Sequence, residues 1–205
     1  MTGLVAGRDE HGRLRDEPAA RTVLAHRRVF EGLVWDLDED TVDLGHAQVV
    51  RQYVAHPGAV AVIAMDDDGR VLLLSQYRHP VRHVLWEPPA GLLDVEGEDE
   101  QSAAARELAE EADLVAGSWS RLVEFYSSAG GSSEHITVFL ARDLAPVDEV
   151  DRFERRDEEA DMEVVWVPLA EAVDGVLTGR LQCPTTVVGV LAAAAARAAG
   201  TDAGA

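Results

Sequence analysis

Two apolar runs near the centre of the chain predict a pair of buried strands. Residues 59–65 and 71–74 carry only apolar side chains, as expected for strands that are covered on both faces. The intervening Asp66-Asp67-Asp68-Gly69 is a turn signal, with glycine where a positive φ is needed. A calcium loop would need a longer ligand spacing that ends in glutamate. We therefore interpret this acidic run as a hairpin turn.

Helical patterns follow farther along the chain. Residues 100–112 contain three successive alanines, good helix formers throughout and neither Gly nor Pro. A second helix is predicted over 168–177, with proline in its first turn, and an alanine-rich third helix over 185–199. The remaining strands are predicted at 121–126, 135–141 and 162–167. Because strands and helices are intermixed without regular βαβ repetition, we predict the α+β class or a helix–sheet–helix sandwich.

The N-terminal part has a different pattern. Residues 1–20 are polar and lack the apolar centre of a signal peptide, so we interpret them as a flexible tail. Residues 21–57 predict a small antiparallel β domain with turns at Asp38-Glu39-Asp40 and Leu44-Gly45-His46. Its three strands are predicted at 22–29, 32–38 and 47–54. A sheet this thin does not fold alone, so it should dock on another surface. The main domain then spans residues 58–200.

Charge and cysteine content narrow the functional classes. The chain has 18 arginines, no lysine and 38 acidic residues, for a net charge of −20. Such acidity argues against nonspecific binding to nucleic acid or to anionic membranes, because both require a basic surface. No apolar run reaches the roughly 20 residues that span a bilayer. A single cysteine, Cys183, cannot form an internal disulfide, so we expect a cytoplasmic protein.

Candidate chemistry concentrates on the helix predicted over residues 100–112. Glu107, Glu110 and Glu111 are spaced so that their carboxylates share one helix face. Their repulsion favours a cation among them, and hard oxygen donors in this number suit Mg²⁺ or Mn²⁺. Arg106 can pair with one carboxylate, for which Glu98 is the expected partner. The Glu-x-x-Glu-Glu pattern alone is also typical of a solvated acidic helix face.

The residues around this cluster resemble the Nudix box. Gly91 precedes Glu98, and after seven further residues comes Arg106-Glu-Leu-Ala-Glu-Glu111. Two departures occur. Six residues separate Gly91 from Glu98, where the usual box has five, and Asp113 replaces the glycine that closes the helix. Aspartate tolerates the left-handed conformation better than most residues, so the helix cap can survive.

The resemblance covers most of residues 20–200 and is to the ADP-ribose pyrophosphatase branch. It implies an α/β/α sandwich with a mixed sheet, within the α+β class. Besides the N-terminal strands, it is carried by Gln76-Tyr-Arg-His79, Leu85-Trp-Glu-Pro-Pro-Ala-Gly91 and Gly130-Gly-Ser-Ser-Glu134. It implies hydrolysis of a nucleoside diphosphate compound, with ADP-ribose giving AMP and ribose 5-phosphate. It also implies a homodimer that exchanges its N-terminal sheets and builds each active site from both subunits. Such an exchange would provide the docking surface that the thin sheet requires.

The resemblance also implies the roles of individual residues. The metal would be bound by the main-chain carbonyl of Ala90 together with Glu107, Glu110 and Glu111. Residues 155–162 resemble a mobile loop that brings the catalytic base, for which we favour Glu159, with Glu158 as the alternative; Glu111 is assigned to catalysis as well.

Five further residues are implied as substrate contacts. Arg51 and Arg78 would contact the phosphates or a ring, and Phe30 would lie near the adenine. Glu87 and Glu134 would bind polar groups of the substrate.

One departure concerns the substrate. ADP-ribose hydrolases usually carry a proline 16 residues after the final glycine of the box, and counting from Asp113 reaches Ala129. ADP-ribose remains the preferred prediction, with a nucleotide sugar or another ADP-linked compound as the alternative. A non-catalytic Nudix sensor of ADP-ribose is a second alternative, which the retained glutamates and the absence of a basic extension disfavour. A purely structural interaction module is the third.

Overall fold

The computed structural model of the chain describes residues 7–148, 150, 152–153 and 162–201. The chain divides into two compact units, residues 1–55 and 56–205. Glu158 and Glu159, the two residues predicted as catalytic base, lie outside the described residues.

The first unit begins with a short hairpin that was not predicted from the sequence. Strand β1 (Gly7–Arg8) pairs antiparallel with β2 (Leu14–Arg15). The Asp9 carboxylate closes the turn, because it accepts hydrogen bonds from the backbone N–H groups of His11 and Arg13, each at 2.9 Å. Aspartate commonly stabilises turns through such local bonds.

The second sheet of this unit has three antiparallel strands. Strand β3 (Thr22–Phe30) pairs with β4 (Asp36–Asp43), which in turn pairs with β5 (Gln48–Ala55). The turn predicted between the last two strands is confirmed, with Gly45 at φ 84°. The small antiparallel sheet expected from the sequence is therefore present in this unit.

The position predicted for the middle strand is wrong. Strand β4 begins at Asp36 rather than at residue 32, and the residues assigned to a turn, 38–40, lie within it. They face the basic residues 26–28 of β3, and the nitrogen–oxygen distances are 2.7 Å for Arg27–Glu39 and 2.8 Å for Arg28–Asp38. Opposite charges that face each other across two strands stabilise the pairing, which outweighs the local turn propensity of the acids.

The first unit has little apolar core of its own. Among the described residues, every buried hydrophobic side chain belongs to the second unit. Several large apolar side chains of the first unit are exposed instead: Val23, Leu24, Val29, Phe30, Leu33, Val34, Trp35 and Val50. An apolar hollow of this unit is lined by residues 30 and 32–37 together with Val54.

The second unit is built around strand β6 (Ala59–Ala64), whose residues from Val60 onward are fully buried. On one side it pairs antiparallel with β9 (Ala90–Leu92), and on the other parallel with β11 (His135–Pro146). Strand β10 (Leu114–Tyr126) forms the outer strand beyond β11. Because β6 has one parallel and one antiparallel neighbour, the predicted mixed sheet is confirmed.

A second sheet and three helices complete this unit. The sheet has the order β12 (Val164–Pro168), β7 (Arg70–Arg78) and β8 (His83–Glu87). The helices are α1 (Glu100–Ala112), α2 (Leu169–Leu177) and α3 (Pro184–Ala199). None of the helices in the described ranges is long and apolar enough to cross a lipid bilayer.

The core forms two layers on opposite faces of β6. Val60 and Val62 pack with Leu108 of helix α1. The alternate side chain, Ile63, packs on the other side with residues of α2 and α3, including Val190. Successive residues of a strand point to opposite faces, so the fully apolar run is explained by helices on both sides. The predicted α/β/α arrangement of the α+β class is confirmed.

Candidate active site

Helix α1 is capped at both ends by aspartates. Asp99 accepts hydrogen bonds from the backbone N–H groups of Gln101 and Ser102, each at 3.0 Å. These bonds, that from Ser102 above all, lower the pKa of Asp99. At the other end, Asp113 adopts the left-handed conformation, with φ 55° and ψ 35°. The expectation that aspartate can replace the closing glycine is confirmed.

The apolar side of α1 turns two of its glutamates toward the sheet. Leu108 of α1 is fully buried in the cluster that contains residues of strand β6. Glu107 precedes Leu108 directly and Glu111 follows it by about one turn, so both glutamates lie on the same buried side of the helix. Glu107 is only 9% exposed and Glu111 only 7%, whereas Glu110 is more open to solvent. Buried carboxylates require compensating hydrogen bonds or charges.

Strand β9 provides part of that compensation. The backbone N–H of Ala90 donates a 2.9 Å hydrogen bond to Oε2 of Glu111. One residue later, Gly91 lies directly against Glu107, and a methyl group at Gly91 would overlap the Glu107 carboxylate. The glycine is needed here for space, since its φ is not in the left-handed region. The spacing of the box therefore sets β9 against the glutamate face of α1.

Arg106 supplies positive charge to the same face. Its guanidinium donates two hydrogen bonds of 3.1 Å to Glu98, the partner expected from the sequence, and one of 2.6 Å to Glu107. A longer contact of 3.4 Å reaches Glu110. The hydrogen bonds to Glu98, followed by those to Glu107, raise the pKa of Arg106. The positively charged guanidinium of Arg106 thus holds the carboxylates of Glu98, Glu107 and Glu110 together.

The three glutamates of α1 are the candidate ligands for a divalent metal ion. In the part of the chain that the structure describes, no three His, Cys, Asp or Glu side chains form a group that could hold a metal ion. In this arrangement Glu107 and Glu110 contact Arg106, and Glu111 contacts the Ala90 amide. The donor chemistry nevertheless fits a hard divalent cation, because three carboxylates share one helix face and two of them are buried.

Arg78 and Glu87 contact each other across the β7–β8 hairpin. Arg78 donates hydrogen bonds of 3.0 and 2.7 Å to the two carboxylate oxygens of Glu87, which is buried. These bonds raise the pKa of Arg78, and the nearby charge of Glu111 adds to the effect. Both residues were expected as substrate contacts. The structure pairs them with each other and places Arg78 within electrostatic reach of Glu111.

Glu134 is held in a hydrogen-bonded loop after strand β10. The hydroxyl of Ser127 donates to Oε2 of Glu134, while Nε2 of His56 lies 3.4 Å from Oε1. Neither Ser127 nor His56 was predicted from the sequence as a site residue. No spacing rule could have found the histidine, because it precedes Glu134 by more than seventy residues and meets it only in the folded chain.

The two remaining predicted residues belong to the first unit. Phe30 is exposed and lines the apolar hollow of that unit. The Arg51 guanidinium donates a 2.9 Å hydrogen bond to the carbonyl of Val50. Within the second unit, the structure gathers the residues of the box around β9 and α1, with Arg78 within electrostatic reach of Glu111.

Known proteins share much of the sequence of this chain. Residues 55–182 match the model of the NUDIX domain. The chain is 46% identical over 170 residues to an ADP-ribose pyrophosphatase of Mycobacterium tuberculosis (strain ATCC 25618 / H37Rv), an alignment that covers 82% of this chain and 81% of the relative. It is 36% identical over 151 residues to an ADP-ribose pyrophosphatase of Bacillus subtilis (strain 168), covering 73% and 80%.

The fold was also compared with solved structures. A crystal structure of an ADP compounds hydrolase superposes with a TM-score of 0.73 at 19% identity, covering 91% of this chain and 100% of the other. At this identity the likeness concerns the fold. Since the NUDIX model matches more than half of the chain and two relatives align over most of it, the chain belongs to the Nudix hydrolase family.

Proposed function

We propose that the chain hydrolyses the pyrophosphate bond of ADP-ribose to AMP and ribose 5-phosphate, with Mg²⁺ or Mn²⁺ as cofactor. The observation that carries the proposal is the glutamate face of α1 set against β9, where Glu107 lies on Gly91 and Glu111 accepts from Ala90. The names of the two aligned relatives support ADP-ribose as the substrate.

The metal would be held by the carbonyl of Ala90 and the carboxylates of Glu107, Glu110 and Glu111. A bound divalent cation supplies charge that offsets the diphosphate and polarises its phosphorus. The strong net acidity of the chain makes such compensation necessary, since an anionic substrate must approach an acidic protein.

The protein's own groups orient this site and move one proton. Arg106 keeps Glu98, Glu107 and Glu110 together, and the partly exposed guanidinium of Arg78 offers positive charge to a phosphate. Glu159, with Glu158 as the alternative, would accept a proton from the attacking water. The water oxygen then bonds to phosphorus as the bridging P–O bond breaks.

The test is turnover of ADP-ribose with added Mg²⁺, with products separated by chromatography. Glu107→Gln and Glu111→Gln each remove a charge and should lower kcat about 100-fold or more. The matched control is Glu171→Gln, an exposed glutamate of α2, which should retain parent turnover. Equal rates in the parent and the two site variants would overturn the proposal. Near-parent turnover of both Glu158→Gln and Glu159→Gln would place the base elsewhere.

A second candidate substrate class is the nucleotide sugars, which Ala129 favours by replacing the proline of ADP-ribose hydrolases. A panel of nucleoside diphosphate compounds at equal concentration distinguishes the two classes by kcat/KM. If ADP-ribose bound tightly by calorimetry but gave no product on prolonged incubation, the chain would instead be a sensor.

We also propose that the active protein is a homodimer in which a second copy covers the first unit. The exposed apolar side chains of that unit, including Leu33, lack a core in the described chain, and an apolar patch of this kind marks an interface. Leu33→Glu should yield a monomer in light scattering after size exclusion. The control is Leu14→Glu, which alters an exposed leucine of the β1–β2 hairpin. A Leu33→Glu protein that remained dimeric would contradict this assignment.

A further inference from the structure

His56 has a buried imidazole with two directed contacts. Its side chain is 5% exposed and lies at the start of the second unit. The ring nitrogen Nδ1 accepts a 3.1 Å hydrogen bond from the backbone N–H of Gly58. The other nitrogen, Nε2, lies 3.4 Å from Oε1 of Glu134. The histidine therefore connects two segments that are distant in sequence.

The first contact determines what the second can be. A nitrogen that accepts a hydrogen bond carries no hydrogen, so the ring proton of His56 resides on Nε2. Nε2 lies 3.4 Å from Oε1 of Glu134, and a carboxylate oxygen is an acceptor for such an N–H. The Gly58 amide thus selects the tautomer that presents the N–H of Nε2 to Glu134.

The remaining contacts hold the Glu134 loop in place. The Ser127 hydroxyl donates to the second oxygen of Glu134, and the Glu134 N–H donates to Oγ of Ser132 at 3.1 Å. The backbone N–H of His56 donates to Oγ of Ser133 at 2.9 Å. Both oxygens of Glu134 are therefore oriented, while the side chain keeps 25% of its surface exposed for a ligand.

The same histidine couples this loop to the glutamate site. Gly58, which selects the His56 tautomer, accepts through its carbonyl a 3.1 Å hydrogen bond from the N–H of Leu93. Leu93 follows strand β9, whose Gly91 lies against Glu107. Glu134 is thus linked to the strand that faces the glutamates of α1 through the His56 side chain and the backbone of Gly58.

We propose that His56 is a positioning residue that aims the Glu134 carboxylate at hydroxyl groups of the sugar in the substrate. The proposal rests on the proposed function and on the expectation, implied by the family resemblance, that Glu134 binds polar groups of the substrate. An oriented carboxylate accepts hydrogen bonds from hydroxyl donors more strongly than a neutral acceptor does. Losing the orientation should weaken substrate binding and leave the glutamates of α1 intact.

Two substitutions separate the two contacts of His56. His56→Gln places an amide N–H near the position of Nε2 and keeps a donor for Glu134. His56→Asn places its amide near Nδ1, so it can satisfy the Gly58 N–H but does not reach Glu134. We expect His56→Asn to raise KM for ADP-ribose on the order of tenfold with kcat little changed, because a hydrogen bond to a charged group is lost. His56→Gln should stay within about threefold of the parent KM.

The opposite result, with His56→Gln impaired and His56→Asn normal, would show that His56 only supports the backbone and would overturn the proposal. Equal KM in both variants and the parent would overturn it as well. Each variant is first compared with the parent by circular dichroism and thermal unfolding. The control is His135→Asn, since this neighbouring histidine packs in a T-shaped contact with Tyr126 and lies near Glu124 instead.

Glu134→Gln separates this proposal from the proposed function. If Glu134→Gln raises KM and His56→Asn does not, only the role of His56 fails. If Glu134→Gln has the parent KM, the substrate role of Glu134 fails and that of His56 fails with it. Calorimetry gives the Kd for ADP-ribose without added metal and without turnover. If the parent protein binds ADP-ribose but does not hydrolyse it, the Kd values of the His56 variants can still be compared with that of the parent.

Discussion

Leu108 is the residue through which helix α1 is held on the sheet, and its truncation gives the sharpest test of the fold. The side chain is fully buried in the cluster that contains Val60, Val62 and Phe139. It stands between Glu107 and Glu111 in sequence, so the packing that buries Leu108 also brings both glutamates to β9. Leu108→Ala changes this packing without touching a polar atom.

The cost of Leu108→Ala follows from its burial. Removing three buried carbon atoms loses about 2.4 kcal/mol of transfer free energy, at about 0.8 kcal/mol each. The cavity that remains raises the total to about 3–4 kcal/mol, because a sheet and a helix cannot close fully around it. This is a large share of the roughly 5–15 kcal/mol by which a domain is stable.

The assay is urea unfolding followed by circular dichroism, in which stability is the midpoint multiplied by the m value. The matched control is Leu177→Ala at the end of α2, where the leucine is 73% exposed and the cost should stay within about 0.5 kcal/mol. A loss below about 1 kcal/mol for Leu108→Ala, with an unchanged m value, would refute the packing of α1 described above.

Three further predictions concern the site and its helix. Arg78→Met leaves the buried Glu87 without its cation and should lower the free energy of unfolding by about 1–3 kcal/mol, a value reduced by the 43% exposure of Arg78. Urea unfolding measures this loss. The double variant with Glu87→Met should recover part of it. Gly91→Ala should displace Glu107 and lower kcat at least about tenfold with little change in thermal unfolding. Asp99→Ala should lower the urea midpoint near neutral pH. Because the pKa of Asp99 is lowered on folding, its carboxylate stabilises the folded state at pH values above the ordinary pKa of 3.8. This stabilisation is lost as the pH falls through the pKa of the folded state. The difference in stability between parent and variant should therefore vanish at such low pH.

Each of these outcomes has a counterpart that would contradict it. A loss in the double variant equal to the sum of the losses in the two single variants would show that Arg78 and Glu87 do not interact in solution. For the glycine, the control is Gly130→Ala, where a methyl group meets no atom within 4 Å; equal loss of kcat in both would dissociate the effect from Glu107. A pH-independent difference for Asp99→Ala would mean that its charge does not cap the helix.

Much of the local structure was predictable because its causes are local. Residues 100–112 form the predicted helix since their propensities and the cap at Asp99 act within a few residues. The turn at residues 66–69 depends on Gly69, which has φ 75° as the turn requires. The shared face of Glu107, Glu110 and Glu111 follows from helical periodicity alone.

Errors arose where distant residues decided the outcome. The acids at 38–40 have turn propensity, but the basic residues 26–28 on the neighbouring strand recruit them into β4. Strands β10 and β11 run longer than their predicted ranges, because they pair with each other from Leu114 to Tyr126, as in the pairing of Val115 with Ala145. Neither effect is visible in a local window of sequence.

By itself, then, the sequence determined the helix, its glutamate spacing, the glycine before it and the family to which the chain belongs, since periodicity and propensity act over short distances. Only the tertiary structure decided that Glu107 and Glu111 are buried against β9, that Arg78 pairs with Glu87, and that His56 reaches Glu134. These contacts depend on how strands and helices stack, and a contact between residues far apart in sequence forms only when the whole core has placed them.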